Sequence, residues 1–100
     1  IVAAVREAIG DEVELGIDSN CAYDASTACA LARQLEPFNL MWWEEPVLAS
    51  DLAGYARLRD KIHIPLAGGE TLDADALIRI PARAPAITAG ALVDVLSLGR

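Results

Sequence analysis

The strongest constraint on the fold is an acidic residue that recurs at equal spacing, each time at the end of a short apolar segment. Asp18 ends "VELGID", Glu44 ends "LMWWE" and Glu70 follows "IPLAGG", so that each interval is 26 residues. One helical segment lies within each interval. Strands separated by single helices are typical of βαβ units and a parallel sheet, and a unit that returns at a fixed period is an internal repeat.

The segments around these acids predict an alternation of helices and strands. The predicted helices are 1–10, 25–38, 50–62 and 73–80. The predicted strands are 13–18, 40–44, 64–69 and 91–98. The pattern predicts an α/β fold, a partial (β/α)8 (TIM-type) barrel of about four consecutive β/α units. A doubly wound sheet is less favoured, because "LAGGET" is not the glycine-rich phosphate-binding pattern.

The composition restricts what such a fold can bind. The chain has 100 residues, at most one small domain, yet 54% of it is hydrophobic. This is high for a small domain, which exposes much of its surface, so we expect a fragment that packs against further protein. A net charge of −7 disfavours binding to nucleic acid or to an anionic membrane. Two cysteines without a CxxC pair predict neither a disulfide framework nor a zinc site, and we expect a cytoplasmic location.

The equal spacing also predicts that the acids meet in space. The C-terminal ends of barrel strands converge on one face, where the active sites of such barrels lie, and adjacent strands are about 5 Å apart. Three carboxylates at one point repel each other unless a cation lies between them. Oxygen ligands with open positions for water and substrate suit Mg²⁺, with Mn²⁺ as a substitute. Asp18, Glu44 and Glu70 are therefore predicted to be metal ligands.

Each of these acids alone has a plainer interpretation. An Asp at a strand end often forms a turn or caps a helix, and Glu44 with Glu45 could be a solvated loop pair. The alternation of side chains along a strand separates the two glutamates. Glu44 shares a face with Trp42, whereas Glu45 shares a face with Trp43. Only Glu44 is predicted to continue the row of metal ligands, and Glu45 is predicted to be a loop residue or to lie beside the ligands.

Three segments carry a family resemblance: "GIDSNCAYD", "MWWEEPV" and "IPLAGGET". Together they resemble the enolase superfamily, in the branch of mandelate racemase and muconate lactonizing enzyme, as far as about Leu77. The resemblance implies the third to sixth strands of a C-terminal barrel domain. Residues 1–100 would be a fragment of that domain, with the N-terminal capping domain absent. It also implies one Mg²⁺ held by Asp18, Glu44 and Glu70.

The resemblance further implies which residues contact the substrate. Asn20 falls where the family has a polar residue beside the metal and the substrate. Cys21 follows in a loop that should face the site, so it is either a further substrate contact or an inert small residue. The segments "DSNCAYD" and "EEPV" are similar to those of sugar-acid members of the family.

The reaction that the resemblance implies begins with removal of the proton α to a carboxylate, with Mg²⁺ stabilising the enediolate. For a sugar acid, loss of the β-hydroxyl then gives a 2-keto-3-deoxy acid. The full-length protein is expected to be a lyase or an isomerase that acts on a small carboxylate and assembles as a homo-oligomer. A racemase, an epimerase or a cycloisomerase of the same superfamily is the alternative.

The catalytic acid and base are not identifiable in the chain. The resemblance implies a lysine motif before Ile1 and a histidine after Arg100, and Gly99 stands about where the partner Asp of that histidine is usual. Pro81 and Pro85 interrupt a further expected helix. The isolated chain is therefore expected to be inactive. A non-catalytic half-barrel that serves in structure or assembly is an alternative from a different class of protein.

Overall fold

The computed structural model describes residues 1–69, 76–80 and 94–97 of the chain. The helices are α1 (Val2–Ile9), α2 (Ala25–Leu35), which continues as a 3₁₀ turn (Glu36–Phe38), and α3 (Leu52–Lys61). The strands are β1 (Gly16–Asp18), β2 (Trp42–Glu44), β3 (Leu66–Gly68), β4 (Ala76–Ile80) and β5 (Asp94–Ser97). They form one sheet in the order β1-β2-β3-β4-β5.

The first half of this sheet is parallel, as the alternation of segments predicts. β1 pairs with β2 in the register Gly16↔Trp42 and Asp18↔Glu44. β2 pairs in parallel with β3, where Glu44 lies opposite Ala67. Each of these strands has three residues, so they are shorter than predicted but lie within the predicted bounds. The prediction of β/α units is therefore confirmed from α1 to β3.

The second half of the sheet differs from the prediction. The helix predicted at 73–80 is wrong over Ala76–Ile80, which forms β4 antiparallel to β3. β5 lies within the predicted strand 91–98 but pairs antiparallel with β4. Ile78 and Ile80 are β-branched and favour a strand. β3 also offers a sheet edge with unpaired backbone groups, which such a segment satisfies. The described residues thus contain parallel strands without four consecutive parallel β/α units.

Helices α2 and α3 cover one face of the parallel strands. Helical spacing places Ala28 and Ala32 on the same side of α2, and both are fully buried. Asp24 caps α2 by accepting a hydrogen bond from the Thr27 N–H, and Asp51 caps α3 through the Gly54 N–H, each at 2.8 Å. Side-chain caps of this kind satisfy backbone donors that a helix leaves open. Leu52, the first residue of α3 after the Asp51 cap, is apolar but 75% exposed.

The core therefore lies between these helices and the sheet. Its buried apolar members are Ala28, Ala32, Leu35, Leu40, Trp43, Val47, Leu58, Ile62, Ile64 and Leu66. Within the described part of the chain, no helix has the length and apolarity needed to cross a bilayer.

One buried charge ties α1 to the rest of the chain. Arg6 is only 8% exposed, and its guanidinium donates hydrogen bonds to backbone carbonyl oxygens. The acceptors are Phe38 at 3.0 Å, Gly10 at 2.9 Å, Val13 at 2.6 Å and Asn39 at 3.2 Å. These carbonyls lie in two loops at the N-terminal ends of β1 and β2. Arg6 thus holds together the end of the sheet opposite the acids.

Replacing Arg6 by Ala in the complete protein is expected to lower the free energy of unfolding by about 3 kcal/mol, because several carbonyls lose a charged donor. Arg6→Lys should recover only part of the lost stability, since an ammonium group cannot reproduce the planar arrangement of the guanidinium N–H donors. Thermal unfolding measures the effect, with Arg33→Ala on the exposed side of α2 as the control. An Arg6→Lys protein as stable as the wild type would show that the guanidinium hydrogen bonds contribute little to stability.

Candidate metal centre

Two of the predicted metal ligands lie side by side. Asp18 and Glu44 are register partners on β1 and β2, and each is the last residue of its strand. Because the strands are parallel, both side chains lie at the same edge of the sheet. Asp18 is exposed and Glu44 is 8% exposed. The pairing is the one that the spacing of the acids predicts.

Both carboxylates lie on the sheet face that α2 and α3 do not cover. Alternation along β2 places Glu44 on the face of Trp42, and Trp42 is half-buried, whereas Trp43 lies in the helix-side core. The Trp42 ring lies against Gly16, where an added Cβ would be 2.5 Å from Trp42 Cε2. Gly16 therefore permits the close approach of the indole on the face that carries the acids. The predicted separation of Glu44 from Glu45 by strand alternation agrees with this packing.

The third predicted ligand, Glu70, lies outside the described residues. Among the residues that the structure describes, no group of three His, Cys, Asp or Glu side chains is placed to hold a metal ion. The described part of the site is thus a pair of carboxylates.

The loops that follow the two strands continue the pairing beyond the sheet. We call residues 19–24 the β1 loop and residues 45–51 the β2 loop. The N–H groups of Ser19, Cys21 and Tyr23 donate to the carbonyl oxygens of Glu44, Glu45 and Pro46, at 3.0, 2.7 and 3.1 Å respectively. An isolated parallel bridge joins Tyr23 to Val47. The β1 loop is therefore fixed against the β2 loop along its length.

The start of the β1 loop orients the first carboxylate. The Asn20 N–H donates to Asp18 Oδ1 at 2.8 Å, which is the Asx-type turn that an isolated Asp at a strand end also predicts. The two interpretations of Asp18 are compatible, because a carboxylate has two oxygens and about four lone-pair sites. The hydrogen bond holds one oxygen in place, and coordination of a cation requires no change in that bond.

Left-handed backbone conformations cluster in the same loops. Asn20, Cys21 and Glu45 have φ of 47°, 62° and 43°. Asn tolerates this region, but it is uncommon for residues such as Cys and Glu. A fourth residue, Asn39 at φ 50°, caps the 3₁₀ turn at the other end of the sheet. Backbone conformations of this kind persist where the surroundings hold them and are frequent at functional sites.

Glu45 is buried beside the site, in contact with the β1 loop. It is 2% exposed, and the Cys21 thiol donates to its Oε2 at 3.6 Å. Glu45 was predicted to be a loop residue or to lie beside the ligands, and only the face it shares with Trp43 signalled this burial. The contact also turns the Cys21 sulfur toward the β2 loop. The predicted role of Cys21 in substrate binding stays a prediction.

Tyr55 of α3 lies behind the same carboxylates. Its hydroxyl donates to the Val47 carbonyl at 3.4 Å, and a Cβ added to Gly68 would lie 3.0 Å from that hydroxyl oxygen. Burial raises the pKa of Tyr55 far above its ordinary value, and the nearby Glu45 carboxylate raises it further. The phenol therefore remains protonated and serves as a hydrogen-bond donor at every pH at which the protein would function.

One groove is lined by Asp18 but not by Glu44. It has a volume of about 770 Å³ and is lined by residues of α1, β1 and α2, with Asp18 and Ser19 among its lining residues. Most of its wall is apolar: Ile1, Val2, Ala3, Ile17, Leu31, Leu35 and Phe38. Its polar lining residues are Asp18, Ser19, Tyr23 and Gln34.

The donors present at the strand ends suit a hard cation. Asp18 and Glu44 supply carboxylate oxygens without nitrogen or sulfur ligands among them, the donor type that Mg²⁺ prefers. The fold and the site thus define an α/β protein with a candidate oxygen-ligand metal centre at the C-terminal ends of parallel strands. Residues 1–93 match the family described as enolase C-terminal domain-like, and the chain belongs to that family.

The relatives make the resemblance more specific. The L-talarate/galactarate dehydratase of Salmonella typhimurium LT2 is 46% identical over 71 residues, 71% of this chain and 18% of that protein. The D-galactarolactone cycloisomerase of Agrobacterium fabrum is also 46% identical over 71 residues, 71% of this chain and 19% of that protein. The matches therefore span less than a fifth of the length of these curated relatives.

Solved structures resemble the same part of the chain. A mandelate racemase/muconate lactonizing family protein from Azoarcus sp. EbN1 has a TM-score of 0.67 at 46% identity, and the match covers 70% of this chain and 19% of that one. L-talarate dehydratase from Polaromonas sp. JS666, solved with Mg and L-glucarate, has a TM-score of 0.66 at 46% identity, covering 69% and 19%. The predicted membership of the mandelate racemase and muconate lactonizing branch is confirmed.

Proposed function

We propose that the complete protein is a Mg²⁺-dependent enzyme that removes the proton α to a carboxylate, and that its reaction is the dehydration of a sugar acid to a 2-keto-3-deoxy acid. The observation that carries the proposal is the register pair of Asp18 and Glu44 at the ends of neighbouring parallel strands. The similarity to sugar-acid dehydratases supports the substrate class. Residues 1–100 would form part of the C-terminal barrel domain of this enzyme.

In this proposal the metal is held by Asp18 and Glu44, with Glu70 as the third ligand. Bound Mg²⁺ would supply positive charge to the substrate carboxylate as its α proton leaves. Asp18 is oriented for this role by the Asn20 N–H at 2.8 Å. The side chain of Asn20, which is exposed at the tip of the β1 loop, would donate a hydrogen bond to the substrate.

The acid and base that move the proton are proposed to come from polypeptide outside residues 1–100. Asp18 and Glu44 would be occupied by the metal, and the Tyr55 hydroxyl stays protonated because its pKa is raised. The family resemblance implies a lysine motif before Ile1 and a histidine after Arg100 as the source of these groups. The isolated chain is therefore proposed to be inactive.

The proposal is tested by incubating the complete protein with galactarate, L-talarate and D-galactonate in the presence of Mg²⁺. A 2-keto-3-deoxy acid, detected as its semicarbazone, is the expected product from at least one of them. Removal of the metal with EDTA should abolish the activity, and added Mg²⁺ should restore it. Turnover that persists in EDTA would contradict the metal-dependent mechanism.

A cycloisomerase is the second candidate, favoured by a relative of equal identity that acts as a D-galactarolactone cycloisomerase. Mass spectrometry of the reaction with D-galactarolactone separates the two. Dehydration gives a product lighter by one water, whereas isomerisation changes the structure without changing the mass. A product of unchanged mass from the lactone, with no keto acid from the open-chain acids, would replace the first proposal by the second.

A further inference from the structure

Glu45 is a buried titratable residue for which the proposed mechanism has no use. It follows Glu44 directly, and its side chain is only 2% exposed. It meets Cys21 twice: its carbonyl oxygen accepts from the Cys21 N–H at 2.7 Å, and its Oε2 accepts from the Cys21 thiol at 3.6 Å. The contact therefore joins the β1 loop to the β2 loop through both the backbone and the side chains.

Both members of this pair have left-handed backbones. Cys21 has φ 62° and Glu45 has φ 43°, although neither is a residue type that adopts this region readily. Two such residues that face each other across adjacent loops need surroundings that hold them in place. The thiol–carboxylate contact is one of the interactions that supply this restraint, because it fixes the side chains of the same two residues.

The restraint acts on the part of the site that would face the substrate. Asn20 lies directly before Cys21 and also has a left-handed backbone, φ 47°. Its N–H is the donor that orients Asp18. If Cys21 moves away from Glu45, the residue that follows Asn20 is no longer held in place by that contact. Glu44, in contrast, remains fixed in β2. The contact should therefore affect the β1 loop more than the metal ligand of β2.

We propose that Glu45 is a positioning residue: through the Cys21 thiol it holds the β1 loop so that Asn20 meets the substrate. The inference rests on the proposed function, because it assigns a role within the same site. Glu45 itself touches neither the metal nor the substrate. Its removal should therefore weaken substrate binding and loosen the β1 loop while the affinity for Mg²⁺ is kept.

The test uses Cys21→Ala, Cys21→Ser and Glu45→Gln in the complete protein. Amide hydrogen exchange, followed by mass spectrometry on peptides that contain residues 19–24, reports directly on the β1 loop. Cys21→Ala is expected to speed this exchange about fivefold, since a hydrogen bond to a charged group is lost. Cys21→Ser keeps a hydroxyl donor at the same position and should restore most of the protection.

Two matched controls separate the contact from a general loss of stability. Cys29→Ala removes the other thiol, which lies on α2. Glu36→Gln alters a carboxylate that accepts a hydrogen bond from the His63 N–H, outside the site. Neither change should alter exchange in residues 19–24. The double variant Cys21→Ala/Glu45→Gln should be no worse than the more affected single variant, because coupled residues are non-additive.

Binding and kinetics provide the second readout. With the sugar acid that the wild type converts, Cys21→Ala and Glu45→Gln should raise KM about fivefold while kcat and the Mg²⁺ affinity stay unchanged. Unchanged exchange in Cys21→Ala, or additive effects in the double variant, would overturn the inference. If the wild type binds no Mg²⁺ and converts no sugar acid, the proposed function fails, and the exchange results still decide whether Glu45 holds the loop.

Discussion

Replacement of Glu44 by Gln in the complete protein is expected to abolish activity and to weaken Mg²⁺ binding by at least about 100-fold. The loss of outer groups that only support a ligand already costs roughly 10–100-fold in metal affinity, and Glu44 is proposed to contact the ion itself. Gln has nearly the same shape but carries no charge, so it cannot offset the charge of the cation. Isothermal titration with Mg²⁺ alone measures the effect without reference to any substrate.

The matched change is Glu14→Gln, which alters an exposed glutamate that precedes β1. It should leave both Mg²⁺ affinity and activity at the wild-type level. Asp18→Asn should behave as Glu44→Gln does, because the two side chains are register partners. Thermal unfolding in the absence of metal should show that each variant is folded. An unchanged Mg²⁺ affinity in Glu44→Gln would remove Glu44 from the site and with it the proposed metal centre.

The fold around this pair follows from patterns that act locally. Helical spacing at Ala28, Leu31, Ala32 and Leu35 predicts the buried face of α2. Asp24 and Ser26 are both predicted as candidates for its cap, and Asp24 is the residue that caps it. The acids recur every 26 residues, and each interval holds one helix and one strand. This repeat predicts that Asp18 and Glu44 lie opposite each other on neighbouring strands. These features are readable in the sequence, since each depends on residues a few positions apart or on a repeated length.

Other features depend on contacts that no local pattern records. The segment Ala76–Ile80 becomes a strand because the edge of β3 is available to it, which is a property of the sheet rather than of the segment. The hydrogen bonds of Arg6 join residues 32 and 33 positions apart. Likewise, Glu45 is buried by a loop 24 residues away in the chain. The alternation of side chains at Trp43 predicts a face for the Glu45 side chain, but it does not predict the contact of Glu45 with Cys21.

The second large effect is expected at Trp43, whose side chain is fully buried at the centre of the helix-side core. Its indole N–H donates to Ser19 Oγ at 2.6 Å, and its ring meets that of Tyr23 edge-on, with centroids 6.3 Å apart. Trp43→Ala leaves a large cavity and should cost about 3–5 kcal/mol. In a protein of ordinary enzyme size this lowers the melting temperature by on the order of 10 °C.

Trp43→Phe distinguishes packing from the hydrogen bond. Phe keeps most of the ring in the core but cannot donate to Ser19, so we expect a loss of about 1–2 kcal/mol. Because Ser19 begins the β1 loop, this variant should also speed amide exchange in residues 19–24. The control is Leu52→Ala, at a position that is 75% exposed, which should change neither the stability nor this exchange. If Trp43→Ala melts at the same temperature as Leu52→Ala, the core cannot lie between this indole and helices α2 and α3. If Trp43→Phe leaves the exchange unchanged, the core holds the β1 loop without help from the indole N–H.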